Sequence, residues 1–183
     1  MILLILGLSI FVVVHFIPEF IGRNYFVEKM GEAAYKGIYS LLSIIGFVLI
    51  VYGKGDSDFV EVWNPPVWTR HLTMLLVLVA MLLLSISQIP NNFKRVIKHP
   101  MLLAVTIWGL AHLLANGDLA SMILFGGFVV FSVVKMITIE KHKPYVQPIS
   151  VKPYWNFVSI IAGFMIYGLA MGFHRSIAGV PLF

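Results

Sequence analysis

Residues 1–18 read MILLILGLSIFVVVHFIP. The stretch is apolar from its second residue and has neither a basic n-region nor a small-x-small cleavage site, so it is expected to be a retained helix rather than a signal peptide. A helix that crosses a bilayer needs roughly 20 mostly apolar residues, about 17 at the short end. Carried outward along the chain, this ruler gives six candidates, at 2–17, 38–52, 67–89, 101–115, 119–139 and 154–173. The second and fourth are short, so each is expected to extend into its flanks or to sit in locally thinned bilayer. The fold class that follows is all-α, a polytopic membrane bundle of about six transmembrane helices, with 1–183 as one transmembrane domain.

Composition agrees. Hydrophobic residues make up 60% of the 183 and charged residues 11%, with a mean hydropathy of +0.94. That is more apolar surface than a soluble domain of this size buries, and lipid must cover the remainder. With no cysteine, disulfides, thiolate metal sites and a Cys nucleophile are excluded. The net charge of +5 sits in short loops between apolar runs, where it reports topology and contact with anionic headgroups rather than nucleic acid.

The connecting segments alternate in charge. A semi-polar stretch carries Glu19, Arg23, Glu28, Lys29 and Lys36, and an acidic loop carries Asp56, Asp58 and Glu61. A basic loop follows with Lys94, Arg95 and Lys98, then a tight Asn116-Gly117-Asp118 turn, then a Lys/Pro loop with Lys141, Lys143 and Lys152. The positive-inside rule then places both chain ends outside the cytoplasm and loops one, three and five within it. A bundle of helices rather than a barrel belongs in an inner membrane. Residues 19–36 are the one candidate for an interfacial amphipathic helix. Asn116 and Gly117 tolerate left-handed backbone and Asp118 can cap the next helix, so the fourth and fifth helices form a hairpin.

Ionisable residues inside spanning helices are costly and mark functional sites by default. Two of the six histidines, His15 and His112, lie within apolar runs, whereas His71, His99, His142 and His174 fall at helix ends or in a loop. A lone intramembrane histidine commonly serves as an interhelical hydrogen-bond donor. Two together, with no cysteine and few carboxylates, fit bis-histidine haem better than zinc. Trp108, Gly109 and Asn116 share the helix face of His112, and Gly109 either admits a flat macrocycle or packs closely on another helix. Pro18 removes a backbone donor and is expected to kink the first helix just below His15. Arg23, Arg70, Arg95 and Lys98 are candidate partners for haem carboxylates. At 1.5 Å per residue, His112 lies roughly 18 Å from the Pro100 end of its helix and His15 roughly 12 Å from Arg23 if the first helix continues that far.

The order His15, Pro18, Arg23, then Lys98-His99-Pro100, then Trp108-Gly109-Leu110-Ala111-His112 and Asn116-Gly117-Asp118 resembles the NnrU family of bacterial membrane proteins over nearly the whole chain. The resemblance implies a link to denitrification, through nitrite and nitric oxide reduction. That family is similar to the plastid zeta-carotene isomerase Z-ISO, which holds a haem b through two histidines. Carried over, its first-helix ligand corresponds to His15, and its second, in a Trp-Cys-Leu-Ala-His segment, to His112. The cysteine of that segment is Gly109 here, so a mechanism that exchanges cysteine for histidine on iron is not available to this chain. The Lys98-His99-Pro100 step also resembles the Arg-His-Pro of isoprenylcysteine carboxyl methyltransferase-like enzymes, and a methyltransferase ranks last among the readings.

Three functions are expected from these residues. The first is a b-type haem membrane protein with His15 and His112 as axial ligands, working with a redox partner. The second is a haem-dependent cis-trans isomerase of a carotenoid or other hydrophobic membrane substrate. The third is a cofactor-free accessory protein for reductase maturation.

Overall fold

The computed structural model describes residues 1–142 and 145–179. Among them are eight α-helices and no strands: α1 (Ile2–Ile17), α2 (Arg23–Met30), α3 (Glu32–Gly55), α4 (Thr69–Gln88), α5 (Pro100–Ala115), α6 (Leu119–His142), α7 (Tyr154–Gly172) and the short α8 (His174–Ala178). Five spans are long and apolar enough to cross a membrane, the first being α1 with its continuation to Met30, and α5 is a shorter apolar helix of 16 residues. The all-α membrane bundle expected from the sequence is what forms. The 38–52 candidate extends into both flanks as α3, while the 101–115 candidate stays short. Lys143 lies outside the described residues.

Large apolar side chains point outward along the spans, among them Ile44, Phe47 and Val51 on α3 and Met165 on α7, each at least half exposed. In water this would be unsupportable; in lipid it is the surface a spanning helix should present. Since lipid removes the hydrophobic drive between helices, small residues and interhelical hydrogen bonds hold the bundle. A Cβ on Gly7 would meet the Gly46 carbonyl at 2.7 Å, and one on Gly53 would strike the Leu4 backbone, so α1 and α3 pack backbone to backbone. Ser85 donates to the Ser159 carbonyl at 2.6 Å, joining α4 to α7, and Thr73 donates to the Ala111 carbonyl at 2.8 Å, joining α4 to α5. The Thr106 and Ser132 hydroxyls, 2.7 Å apart, join α5 to α6.

These contacts string the spans in the order α3, α1, α6, α5, α4, α7. Leu4 packs with Ala120 and Leu124, and the far ends of the same two helices meet where Lys135 reaches Glu19. Helices α1 and α6 therefore run parallel, and α5 runs against both. One end of the bundle collects the 56–68 loop and the 116–118 turn, together with Lys54, Arg70 and Arg175. The opposite, basic end collects Arg23, Lys29, Lys36, Lys94, Arg95, Lys98, Lys135, Lys141 and Lys152.

Two local expectations need correction. The 19–36 stretch is not one amphipathic helix. A π-helical turn over Pro18–Gly22 carries α1 past its proline, the chain swings away at Gly22 (φ +92°), α2 follows, and Gly31 (φ +80°) breaks it from α3. Both reversals need glycine because an L side chain is strained at such φ. The 116–118 turn, by contrast, uses no left-handed backbone: Asn116 is extended (φ −122°, ψ 123°) and Gly117 has no positive φ. Gly117 supplies room instead, because the Trp63 carbonyl occupies the place its Cβ would take. Its own carbonyl accepts from Val62 N–H at 2.8 Å and Trp63 N–H at 3.1 Å. Asp118 caps α6 as expected, accepting Ser121 N–H at 2.9 Å and Ser121 Oγ–H at 2.6 Å.

Candidate functional site

His15 sits on the last turn of α1 and His112 on the last turn of α5. Each Nδ1 lies against the carbonyl four residues earlier, at 2.7 Å for His15 on Phe11 and 2.8 Å for His112 on Trp108. A carbonyl only accepts, so in the neutral imidazole the proton is on Nδ1 and the lone pair on Nε2. This back-bonding folds each ring toward the N-terminus of its own helix. Because α1 and α5 run in opposite directions, the two rings fold toward each other in depth.

The α6 helix measures the separation. His15 meets Phe131 at 5.7 Å between ring centroids, and His112 stacks on Phe125 at 4.5 Å. Six residues of α6 separate those phenylalanines, about 9 Å along the axis. The interval is filled by rings. Phe128 lies 5.5 Å from Phe11, which stacks on His15 at 4.1 Å, and 5.8 Å from Trp108, which lies 4.9 Å from His112. His15 and His112 thus belong to one aromatic cluster with Phe128 at its middle, and neither ring touches the other.

The remaining expected site residues divide between this cluster and the membrane ends. Trp108 lines the cluster, and Asn116 donates from Nδ2 to the His112 carbonyl at 2.8 Å, holding the end of α5. Gly109 faces α6, where an added Cβ would meet Val129 Cγ2 at 2.7 Å and the Phe125 carbonyl at 3.0 Å. Of its two expected uses, close helix packing is the one this arrangement displays. Arg23 pairs with Glu32 at 3.0 Å in a half-exposed bridge, and Lys98 lies 3.7 Å from Glu140, which also receives His99 Nε2 at 2.9 Å. Both cations are at the basic end, as is Arg95; Arg70 is at the other. His174 lies within electrostatic reach of His112, and the described residues contain no cluster of three or more His, Cys, Asp or Glu side chains able to hold a metal ion.

One part of the neighbourhood escaped the sequence reading. Lys135 and Glu19 form an ion pair at 2.8 Å, with side chains only 12% and 16% exposed, and the Lys135 ammonium also donates to the backbone carbonyl of His15. Pro18 and the π-helical turn after it disturb the hydrogen-bond ladder at this level, and Lys135 serves the His15 carbonyl from the side. The signal was available, since Lys135 is a charged residue inside the apolar 119–139 run and the rule that singled out the histidines applies to it equally.

A multi-pass helical membrane protein carrying two back-bonded imidazoles on an aromatic cluster is the class these features define. The chain belongs to the NnrU protein family, whose sequence model matches residues 3–182. No curated protein and no solved structure matches it.

Proposed function

We propose that this protein binds haem b inside the bundle, where His15 and His112 would hold its iron. The donor set carries the reading: both imidazoles hold their proton on the backbone-bonded Nδ1, which leaves Nε2 basic and oriented, as an imidazole ligand to iron requires. The Phe11 and Trp108 carbonyls fix the two tautomers. Phe125 and Phe131 exclude water. Lys135 and Glu19 pin the turn of α1 that bears His15. When bound, the haem would supply one-electron redox chemistry or activation of a substrate.

In this packing Phe128 and Phe11 fill the space between the imidazoles, so binding requires these two side chains to turn aside. The same filling favours a second reading, in which His15 and His112 only brace the helices of a cofactor-free accessory protein. Isomerisation of a membrane polyene is a further use of the same haem. A role beside nitrite and nitric oxide reduction is what the family resemblance implies, and it is part of the same proposal. The charge split between the two ends fits a basic end in the cytoplasm and both termini in the periplasm of a bacterial inner membrane.

An optical spectrum of protein purified with haem supplied decides between the readings. A Soret band that disappears or shifts in both His15→Ala and His112→Ala supports axial ligation. No Soret band in the wild type ends the haem reading in favour of the accessory one.

A further inference from the structure

A cavity of about 330 Å³ opens at the basic end, away from the aromatic cluster. Lys94, Lys98 and His99 are among its lining residues. Its floor is the first turn of α5, where Pro100 stands at the first helical position. The N–H groups of that turn have no partner within their own helix and give it a partial positive charge. Leu103 N–H is taken by the His99 carbonyl at 2.9 Å, so the Met101 and Leu102 N–H groups are the ones left over in a turn whose residues line the cavity. Among the described residues Glu140 is the carboxylate paired here; it holds His99 and sits at the edge of Lys98's reach. The Lys94 ammonium has no ion-pair partner among the described residues. Positive charge therefore exceeds negative at the cavity wall, and the 94–98 backbone is tied down where Tyr145 Oη donates to the Lys94 carbonyl.

The rest of the lining is largely apolar. Met101, Leu102 and Pro148 contribute to it, and Met101 is 47% exposed on the outer face of α5, so the cavity runs on into the surface that lipid covers. A group that suits both kinds of lining carries an anionic phosphate at one end and hydrocarbon at the other.

We propose that this cavity binds the phosphate of an anionic membrane lipid, with Lys94, Lys98 and the first turn of α5 as its phosphate contacts. Free phosphate shares the headgroup chemistry but makes no use of the apolar lining. Nothing in this site depends on haem.

The test uses the full chain in a neutral detergent and follows thermal unfolding as dioleoyl phosphatidylglycerol, dioleoyl phosphatidylcholine or inorganic phosphate is added. Native mass spectrometry counts the lipids retained. Wild type should be stabilised by phosphatidylglycerol and not by phosphatidylcholine. In Lys94→Gln/Lys98→Gln the concentration needed should rise roughly tenfold or more, with one retained lipid lost. Lys29→Gln/Lys36→Gln removes the same charge from the same end but outside the cavity, and should behave as wild type. Equal loss in both double variants, or no preference for phosphatidylglycerol, overturns the site. Stabilisation by inorganic phosphate that matches the lipid and disappears in Lys94→Gln/Lys98→Gln overturns the lipid as its source.

Discussion

Lys135 on α6 donates to the main-chain carbonyl of His15 on α1 while its ammonium holds Glu19 at 2.8 Å. One side chain thereby joins two helices, neutralises a nearly buried carboxylate and serves a backbone acceptor beside the proline. Truncating it strands Glu19. We expect Lys135→Met to destabilise the protein by about 3–5 kcal/mol, the usual consequence of leaving one partner of a buried pair alone. Lys135→Met/Glu19→Gln should recover part of that loss. Denaturant unfolding in mixed micelles measures both, and equal stability of the single and double variants would show that the pair is not coupled.

Phe128 stands between the ring partners of the two imidazoles. If haem takes that place, Phe128→Ala should raise haem affinity at the expense of the apo fold. Phe128 is only partly buried, so the expected cost to the apo protein lies below the about 3–5 kcal/mol of a fully buried Phe to Ala change. Haem titration followed at the Soret band, with thermal unfolding of the apo form, reads both quantities. Tighter binding with a weaker apo fold is the expected combination, whereas weaker binding would place the haem elsewhere.

Gly109 is pressed against Val129 and the Phe125 carbonyl. The obstruction includes backbone, which cannot rotate out of the way, so Gly109→Ala should cost about 1–3 kcal/mol. Gly109→Cys should cost more. Thermal midpoints of the apo proteins rank the three, and an unchanged Gly109→Ala midpoint would show that α5 and α6 are farther apart than described.

Asp118 gives a pH dependence of definite sign. Burial pushes its carboxyl upward, but hydrogen bonds from Lys54 and from the side chain and backbone of Ser121 outweigh this and hold it below the usual carboxylate range. A carboxylate depressed in the folded state adds stability that is complete above its unfolded value, about 3.9. That stability is lost as pH falls through the folded value. Asp118→Asn should therefore be less stable than wild type by about 1–2 kcal/mol at neutral pH. The gap should close below about pH 4, which a series of unfolding curves between pH 3 and pH 7 would reveal.

The spans were legible because lipid imposes one rule on every residue that faces it, and runs such as 67–89 obey that rule without reference to the rest of the chain. His15 and His112 were legible for the converse reason, being polar where the rule forbids it. The partners of His15 were not. Phe11 and Phe131 look like any lipid-facing phenylalanine until helix order and register are known, and only the parallel pairing of α1 with α6 brings Lys135 to Glu19 across 116 positions. The 116–118 turn misled for a related reason: its glycine answers to Trp63 in another loop, a contact that no local turn preference encodes.

Helix α5 has 16 residues, about 24 Å of rise, against a hydrocarbon layer of about 30 Å. Where lipid meets its flank, a bilayer that thins to match it would bring the water interface several ångströms deeper than around the longer helices. The protein would then carry a permanent dimple in its surrounding leaflet, and would partition toward thin, short-chain membranes whenever a choice of thickness is offered.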